Sequence, residues 1–385
     1  MSYIDDKQKN GLYYDFDKIR KEFRKLKIPK EFYNPSGVPL DQCKYFVGVS
    51  ERSTGKTTNW VLLGLVMNKL YGTQIQYIRQ VRDMIAPKNL NQFMDVIINN
   101  GYIEKVTDGK YNSCEYFAGN WRYINIEGSE IKEKAEKPFM SCLSLDQNQI
   151  YKSSYNAPLG DLIIFDEFIS SRYMPNEFVI FSDLVKTIIR ERLSPFVVML
   201  ANTTDRYNEY FRELMIQDEI LKIKVNEFFI KQTPLGTNIF CELIGNKNIE
   251  REKLNTLFFG FKNPRLASIT GGNWAIDNYP HIEREECRVF DKKHYISFNG
   301  YLVQLELCNN DRLGLFVKAH RCNKTYDDSV IYSVDGIKDK RYRHRYGHTM
   351  LDKFIFTLYD RNKFFYANNE VGNMVTSYVE NASKY

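Results

Sequence analysis

The 385-residue chain reads as an α/β protein: a mostly parallel sheet with flanking helices, followed by a smaller α+β part. Three observations predict this. An apolar run, a short polar turn and an apolar helical stretch follow one another between Lys44 and Gly72, with a second strand pattern after them. Apolar runs at 161–169 and 195–202 end in polar residues, as strands buried on both faces do. Beyond about residue 256 the pattern changes to alternating strands with Asn-Gly and Asn-Asn-Asp turns, the mark of hairpins. The expected division is 1–205 for the first unit, 206–255 for a charged connector and 256–385 for the second unit.

The elements follow in order. Residues 16–28, FDKIRKEFRKLKI, have the spacing of a basic amphipathic helix that stops at Pro29, its cations serving either a partner or the solvent. KYFVGV at 44–49 is a strand, TTNWVLLGLVMNKLYG a helix ending at Gly72, and IQYIRQ the next strand. Residues 98–150 read as irregular hairpins decorating the sheet. DLIIFDEFI is a buried strand, 176–193 a helix and 195–202 another buried strand. Near the C-terminus, NEVGNMVTSYVENA has helical periodicity.

Composition narrows the possibilities. With 43% hydrophobic and 15% aromatic residues the chain can bury substantial cores, which excludes a disordered protein. A net charge of +6 mildly favours a polyanionic partner. No apolar run approaches the roughly 18 residues of a membrane helix, and the polar start MSYIDDKQKN does not read as a secretion signal. Seven scattered cysteines without a C-x-x-C pair read as free thiols of a reducing cytoplasm. All five histidines lie after residue 280 and none has ligand spacing to a cysteine pair, which argues against zinc.

Residues 50–57, SERSTGKT, stand between the first strand and the first long helix. A phosphate loop needs that position, because successive backbone N–H groups then converge on phosphate oxygens at a helix N-terminus. The usual G-x-x-x-x-G-K-[ST] pattern has glycine where this chain has Ser50. The expected phosphate cradle is Ser50, Arg52, Ser53, Thr54, Gly55, Lys56, Thr57 and Thr58, with Lys56 reaching the β- and γ-phosphates of ATP and the Thr57 hydroxyl on Mg2+. LIIFDEF decides the matter. It delivers Asp166 to the C-terminal end of a buried strand, where ligands bind in open α/β sheets, as the second magnesium residue. Glu167 then stands ready to polarise the attacking water. Asn202, ending VVMLAN, is either a γ-phosphate sensor or a strand-end cap. Arg190 and Arg192, placed in the preceding helix, are either arginine fingers or ordinary surface arginines. Together these features define a P-loop ATPase domain of the ASCE class.

The same residues resemble the DNA-packaging ATPases of φ29-type tailed phages, a branch of the terminase-like genome-packaging motor family. The resemblance rests on Arg52 inside the loop, on Ile163-Ile164-Phe165-Asp166-Glu167-Phe168-Ile169, on Pro175-Asn176-Glu177, on Arg190 and Arg192, and on Leu200-Ala201-Asn202. It is strong over about 40–205 and weaker beyond 256, where ISFNGYLVQLELCNNDRLGLFVKA is similar to a hairpin of the family's C-terminal domain. It implies that Arg190 acts in trans on a neighbour's nucleotide and that Arg82 also makes trans contacts. It implies a degenerate RNase H-like nuclease domain at the C-terminus. Glu306 and Asp311 do not amount to the carboxylate set of a two-metal nuclease, so nuclease activity is not expected.

The resemblance further implies ATP-driven movement of double-stranded DNA into a procapsid by a homo-oligomeric, pentameric ring. The protein would work in the host cytoplasm, docked transiently on the phage portal and absent from the mature virion, with a packaging RNA as a further partner. The most basic stretch of the chain carries Lys338, Lys340, Arg341, Arg343 and Arg345, interleaved with Tyr342 and Tyr346. It reads as a sequence-independent phosphate contact with DNA or RNA, its aromatics free to stack, or as a solvated loop. Two other functions share parts of this pattern: a helicase or translocase unconnected with capsids, and a nucleic-acid-binding adaptor whose nucleotide is only a switch.

Overall fold

The computed structural model describes residues 14–51, 53–169, 174, 176–202, 208–245, 279–282, 288–334, 336–344 and 346–382. The chain begins with helix α1 (Phe16–Arg24), capped by the Asp15 side chain, which accepts from the Lys18 N–H. The helix ends four residues before the expected stop, and its Ile19 and Phe23 face inward. Strand β1 (Tyr45–Ser50) leads into α2 (Lys56–Tyr71), and β2 (Ile75–Arg79) into α3 (Pro87–Asn99) and the short α4 (Tyr102–Val106). There follow β3 (Ser113–Phe117), β4 (Asn120–Glu127), β5 (Glu130–Lys134), β6 (Met140–Ser144) and α5 (Asn148–Ser154). Strand β7 (Leu162–Asp166), α6 (Glu177–Ile189) and β8 (Phe196–Asn202) carry the acidic motif and the strand after it. Helices α7 (Glu209–Glu213) and α8 (Gln217–Ile220) precede the hairpin of β9 (Phe228–Gln232) and β10 (Asn238–Ile244).

These ten strands form one sheet in the order β3-β4-β6-β2-β7-β8-β1-β10-β9, with β5 paired to β4. The six strands from β6 to β10 run parallel. Two expectations are corrected here. Residues 140–144, read as hairpin decoration, form an inner strand paired parallel to β2, and are wholly buried. The supposed connector contributes β10, whose Asn238–Ile244 lies beside Tyr45–Ser50 in parallel register, so the sheet does not stop at 205. The part of that connector from 246 to 255 lies outside the described residues. Local pattern cannot reveal either placement, since which strands become neighbours is a long-range choice.

Apolar cores cover both faces of the sheet. Ile19, Phe23, Trp60, Leu63 and Met94 belong to one, Phe165, Phe181, Leu184 and Tyr210 to the other. Helix α2 is buried from Trp60 to Met67 on all sides, which explains its nearly unbroken apolar run. It lies so close to the sheet that a Cβ at Gly64 would stand 2.5 Å from the Ile75 side chain and 2.8 Å from that of Leu162.

A second sheet contains β11 (Arg288–Phe298), β12 (Tyr301–Asn310), β13 (Gly314–Arg321), β14 (Val330–Ser333) and β15 (Tyr342–Arg343). Helix α9 (Met350–Asp360), strand β16 (Phe364–Tyr366) and α10 (Asn369–Ala382) complete it, α10 spanning the stretch expected to be helical. The strand order is β15-β14-β11-β12-β13-β16. The three long strands form an antiparallel meander, and β14, β15 and β16 add in parallel. Residues of both helices, among them Phe356, Met374 and Tyr378, pack on one face of this sheet against Leu305 and Val317. Among the described residues no helix is long and apolar enough to cross a membrane.

Candidate nucleotide site

Parallel register brings the C-terminal ends of β1, β8, β7 and β2 side by side: Ser50 beside Asn202, and Asp166 beside Leu200. The acidic strand is separated from the loop-bearing strand by β8 alone. After β1 the chain turns through Ser53 (φ 60°) and Gly55 (φ 77°) and enters α2 at Lys56. The positive φ at Gly55 reverses the chain at the helix start, and the first helical bond runs only from the Asn59 N–H to the Gly55 carbonyl. The N–H groups just before it therefore have no intrahelical acceptor, which is the condition for binding an anion. Arg52 lies outside the described residues.

Ser50, at the usual glycine position, is buried and has work for its hydroxyl. It accepts from Lys56 Nζ at 2.9 Å and lies 3.0 Å from Thr54 Oγ1. Lys56 Nζ also donates to Asn202 Oδ1 at 2.9 Å, so Asn202 faces the loop lysine. The Thr57 hydroxyl donates to Asp166 Oδ1 at 2.9 Å. Thr58 is half-buried in the first turn of α2. The loop is braced from outside by the segment before β1: the Tyr33 N–H donates to the Thr54 carbonyl at 2.9 Å, and Asn59 Nδ2 to the Tyr33 carbonyl at 2.5 Å.

Two residues that the sequence reading passed over complete the cluster. Arg79, the last residue of β2, donates from Nη1 to Asp166 Oδ2 at 2.8 Å and from Nη2 to Glu167 Oε2 at 2.5 Å. Tyr77 donates to Asp166 Oδ2 at 2.7 Å. Burial works against the Arg79 charge, but Tyr77, Asp166 and Glu167 together raise its pKa above the ordinary value. Burial also pushes the Tyr77 hydroxyl far up, with Asp166 adding to the effect. Glu167 sits at φ 54°, a left-handed conformation a glutamate rarely adopts, at the turn that ends β7. The signal for Arg79 was a charged residue closing an apolar strand, which requires a buried anion nearby.

The arginines after α6 divide sharply. Both lie beyond the last helical residue, Ile189, and not within the helix as expected. Arg192 is buried; it ion-pairs with Asp161 and donates to the carbonyls of Pro158, Gly160 and Ile188. Tyr14 donates to the same aspartate at 2.7 Å. Arg192 is thus a structural residue, and the finger reading fails for it. Arg190 is exposed at φ 50°, with Nη2 donating to the Tyr155 carbonyl at 2.8 Å. It stands near the N-terminal ends of β7 and β8, opposite the end that carries Asp166. Arg82 is exposed, its N–H donating to Asp146 Oδ2 at 3.2 Å. The hydrogen bonds of Arg82 and Arg190 thus go to Asp146 and Tyr155, outside the loop cluster.

On the second sheet, Glu306 lies opposite Lys318 and 3.4 Å from His320, both basic, and Asp311 is exposed. Among the described residues no group of three or more His, Cys, Asp or Glu is placed to hold a metal ion. In the basic stretch, Lys338 and Lys340 are exposed. Arg341 pairs with Asp339 at 2.6 Å, which holds that carboxyl down at about 2. Arg343 donates to the Lys340 carbonyl at 2.8 Å. Tyr346 is not free to stack on a base, because its ring stacks on Phe356 at 3.9 Å. Arg345 lies outside the described residues.

The architecture is mixed α/β, with a large, mostly parallel sheet and a glycine-turned loop facing an acidic strand end. Among solved structures, the Phi-28 gp11 DNA packaging motor shares 17% identity with this chain at a TM-score of 0.53, over 92% of this chain and 98% of that one. The bacteriophage Phi-29 viral genome packaging motor assembly shares 18% identity at 0.54, over 92% and 100%. At such identities the likeness is one of fold. No family model and no curated protein matches the sequence.

The site's donors suit the ligands expected of it. Mg2+ takes hard oxygen ligands, and the Thr57 hydroxyl and Asp166 carboxylate offer them together at the start of α2. Lys56 and the helix N-terminus supply the positive field a polyphosphate needs.

Proposed function

We propose that the chain is an ATP-driven translocase of double-stranded viral DNA, working as a homo-oligomeric ring at a procapsid portal. The observation that carries this reading is the joined cluster of Lys56, Asn202, Thr57, Asp166, Arg79 and Glu167 at the C-terminal edge of the sheet. The fold-level likeness to two packaging motors supports it.

In this reading the N–H groups of residues 55–58 and Lys56 Nζ take the β- and γ-phosphates. Lys56 exchanges Asn202 for phosphate, which leaves the Asn202 amide to report on the γ-phosphoryl group. Thr57 and Asp166 would hold magnesium, which would supply neutralisation of charge on the transferring group. Glu167 orients the attacking water through the oxygen that Arg79 does not occupy. Arg190 faces away from this chemistry in its own chain, so it serves the neighbouring subunit's site. Lys338 and Lys340 contact DNA phosphates without reading sequence, while Arg341 and Arg343 shape that loop. The first unit extends to Ile244 and the second begins beyond the connector. The second unit is a vestigial RNase H-like domain, a reading supported by its meander with parallel strands added and helices on one face.

The test is steady-state ATP hydrolysis, with and without duplex DNA, for wild type, Glu167→Gln, Arg190→Ala and a mixture of the two variants. The expected result is DNA stimulation of wild type, two inactive variants and recovery in the mixture, where an intact Glu167 meets an intact Arg190. Nucleotide binding without turnover in wild type overturns the motor reading.

A further inference from the structure

A buried carboxylate away from the phosphates joins the end of β2 to α7. Glu177, the first residue of α6, is 8% exposed. Its Oε2 accepts from Gln80 Nε2 at 2.8 Å and its Oε1 from the Tyr210 hydroxyl at 2.9 Å. Gln80 is wholly buried and directly follows Arg79, the residue that holds Asp166 and Glu167. Tyr210 lies in α7, after the strand that ends in Asn202, and packs edge-on against Phe165 and Phe168, which flank the acidic pair. Both carboxylate oxygens are thus used, and each ties α6 to a different part of the site.

Helix α6 is one continuous element of 13 residues, about 20 Å long. Its far end delivers Arg190 to the surface. A rigid rod pinned at one end to the Arg79 segment, and bearing at the other the arginine assigned to a neighbour's site, has the geometry of a lever. We propose that Glu177 is a positioning residue that couples the nucleotide site to α6, so that movement of the Arg79 segment when ATP binds is transmitted to Arg190. The inference rests on the reading of this site as a nucleotide site and goes beyond it in naming the linkage.

The test compares wild type with Glu177→Leu, Glu177→Gln and Tyr210→Phe, all as full chains. Amide hydrogen exchange is followed with and without Mg-ATP, alongside binding of a fluorescent ATP analogue and turnover. In wild type, ATP slows exchange both in α2 and in α6. In Glu177→Leu the α2 effect and analogue affinity persist within about twofold, while α6 no longer responds and kcat falls between about tenfold and a hundredfold, as for a misplaced catalytic group. Glu177→Gln keeps an acceptor for Gln80 and restores the α6 response. If Glu177→Leu does not fold, Tyr210→Phe carries the comparison, with a weakened α6 response. An α6 response in Glu177→Leu or Tyr210→Phe equal to that of wild type overturns the proposal, as does a parallel loss of affinity and turnover. Failure of wild type to turn over ATP sinks the motor reading alone, because the exchange comparison needs only binding.

Discussion

Arg79 Nη2 lies 2.5 Å from the Glu167 carboxylate while Nη1 of the same guanidinium lies 2.8 Å from Asp166, so one side chain bridges the two acids of the β7 terminus. Two carboxylates on adjacent residues repel, and a planar fork that reaches both fixes their directions at once. The strained turn at Glu167 is held partly by this bridge. A lysine offers one point charge and cannot span both.

Arg79→Lys is therefore expected to lower hydrolysis by at least about tenfold, or about 1.4 kcal/mol of transition-state free energy, with little change in nucleotide affinity. Arg79→Ala should in addition lower stability by about 2 kcal/mol, less than for a fully buried pair because Glu167 is 47% exposed. Urea unfolding and steady-state kinetics measure the two effects. Unchanged kcat in Arg79→Lys would show that the bridge is not used in turnover.

The two arginines after α6 should separate in opposite ways. Arg192→Ala leaves Asp161 buried without its counter-charge, hydrogen-bonded by Tyr14, and should cost about 3–5 kcal/mol in folding. Arg190→Ala removes an exposed side chain and should change stability by less than about 0.5 kcal/mol, while abolishing ring hydrolysis. Thermal melts of both variants, beside the activity assay, decide this.

Stability should respond to pH through Glu177. Burial lifts its pKa from 4.5 to about 7, against hydrogen bonds from Gln80 and Tyr210 and with some help from Glu209. The folded state therefore holds a proton that the unfolded chain gives up near its ordinary pKa. Stability from this group is full below about pH 4.5 and is lost as pH rises to about 7, by up to roughly 3 kcal/mol at about 1.4 kcal/mol per unit. Glu177→Gln should accordingly stabilise the protein more at pH 8 than at pH 5, relative to wild type. Denaturant midpoints at the two pH values check the sign.

Exposed and neutralised cations of the 338–343 stretch should differ on DNA. Replacing both Lys338 and Lys340 by alanine should reduce the salt slope of duplex binding by about 2, one for each lost phosphate contact. Arg341→Ala should change the slope much less, because Asp339 already neutralises that guanidinium. Fluorescence anisotropy across a salt series measures both, and equal slopes in all three proteins would remove this stretch from the DNA interface.

The sequence by itself determined the glycine-turned loop after β1, the acidic strand end and the polar strand end at Asn202. Each is written in a local pattern: a period of apolar residues, a glycine where the chain turns, an acid closing a buried run. Tertiary structure decided which charges meet. Arg79 and Glu167 are 88 residues apart in sequence, and only the pairing of β2 with β7 brings them together. Long-range pairing likewise put residues 140–144 inside the sheet, placed 238–244 beside the loop strand, and brought Asn202 to Lys56. It also buried Arg192 while leaving Arg190 exposed, two positions with the same residue and the same neighbourhood in sequence. Local patterning records whether a side chain is apolar and how often it recurs. It does not record which strand lies next to which, and in a parallel sheet that order decides the partners of every residue at the strand ends.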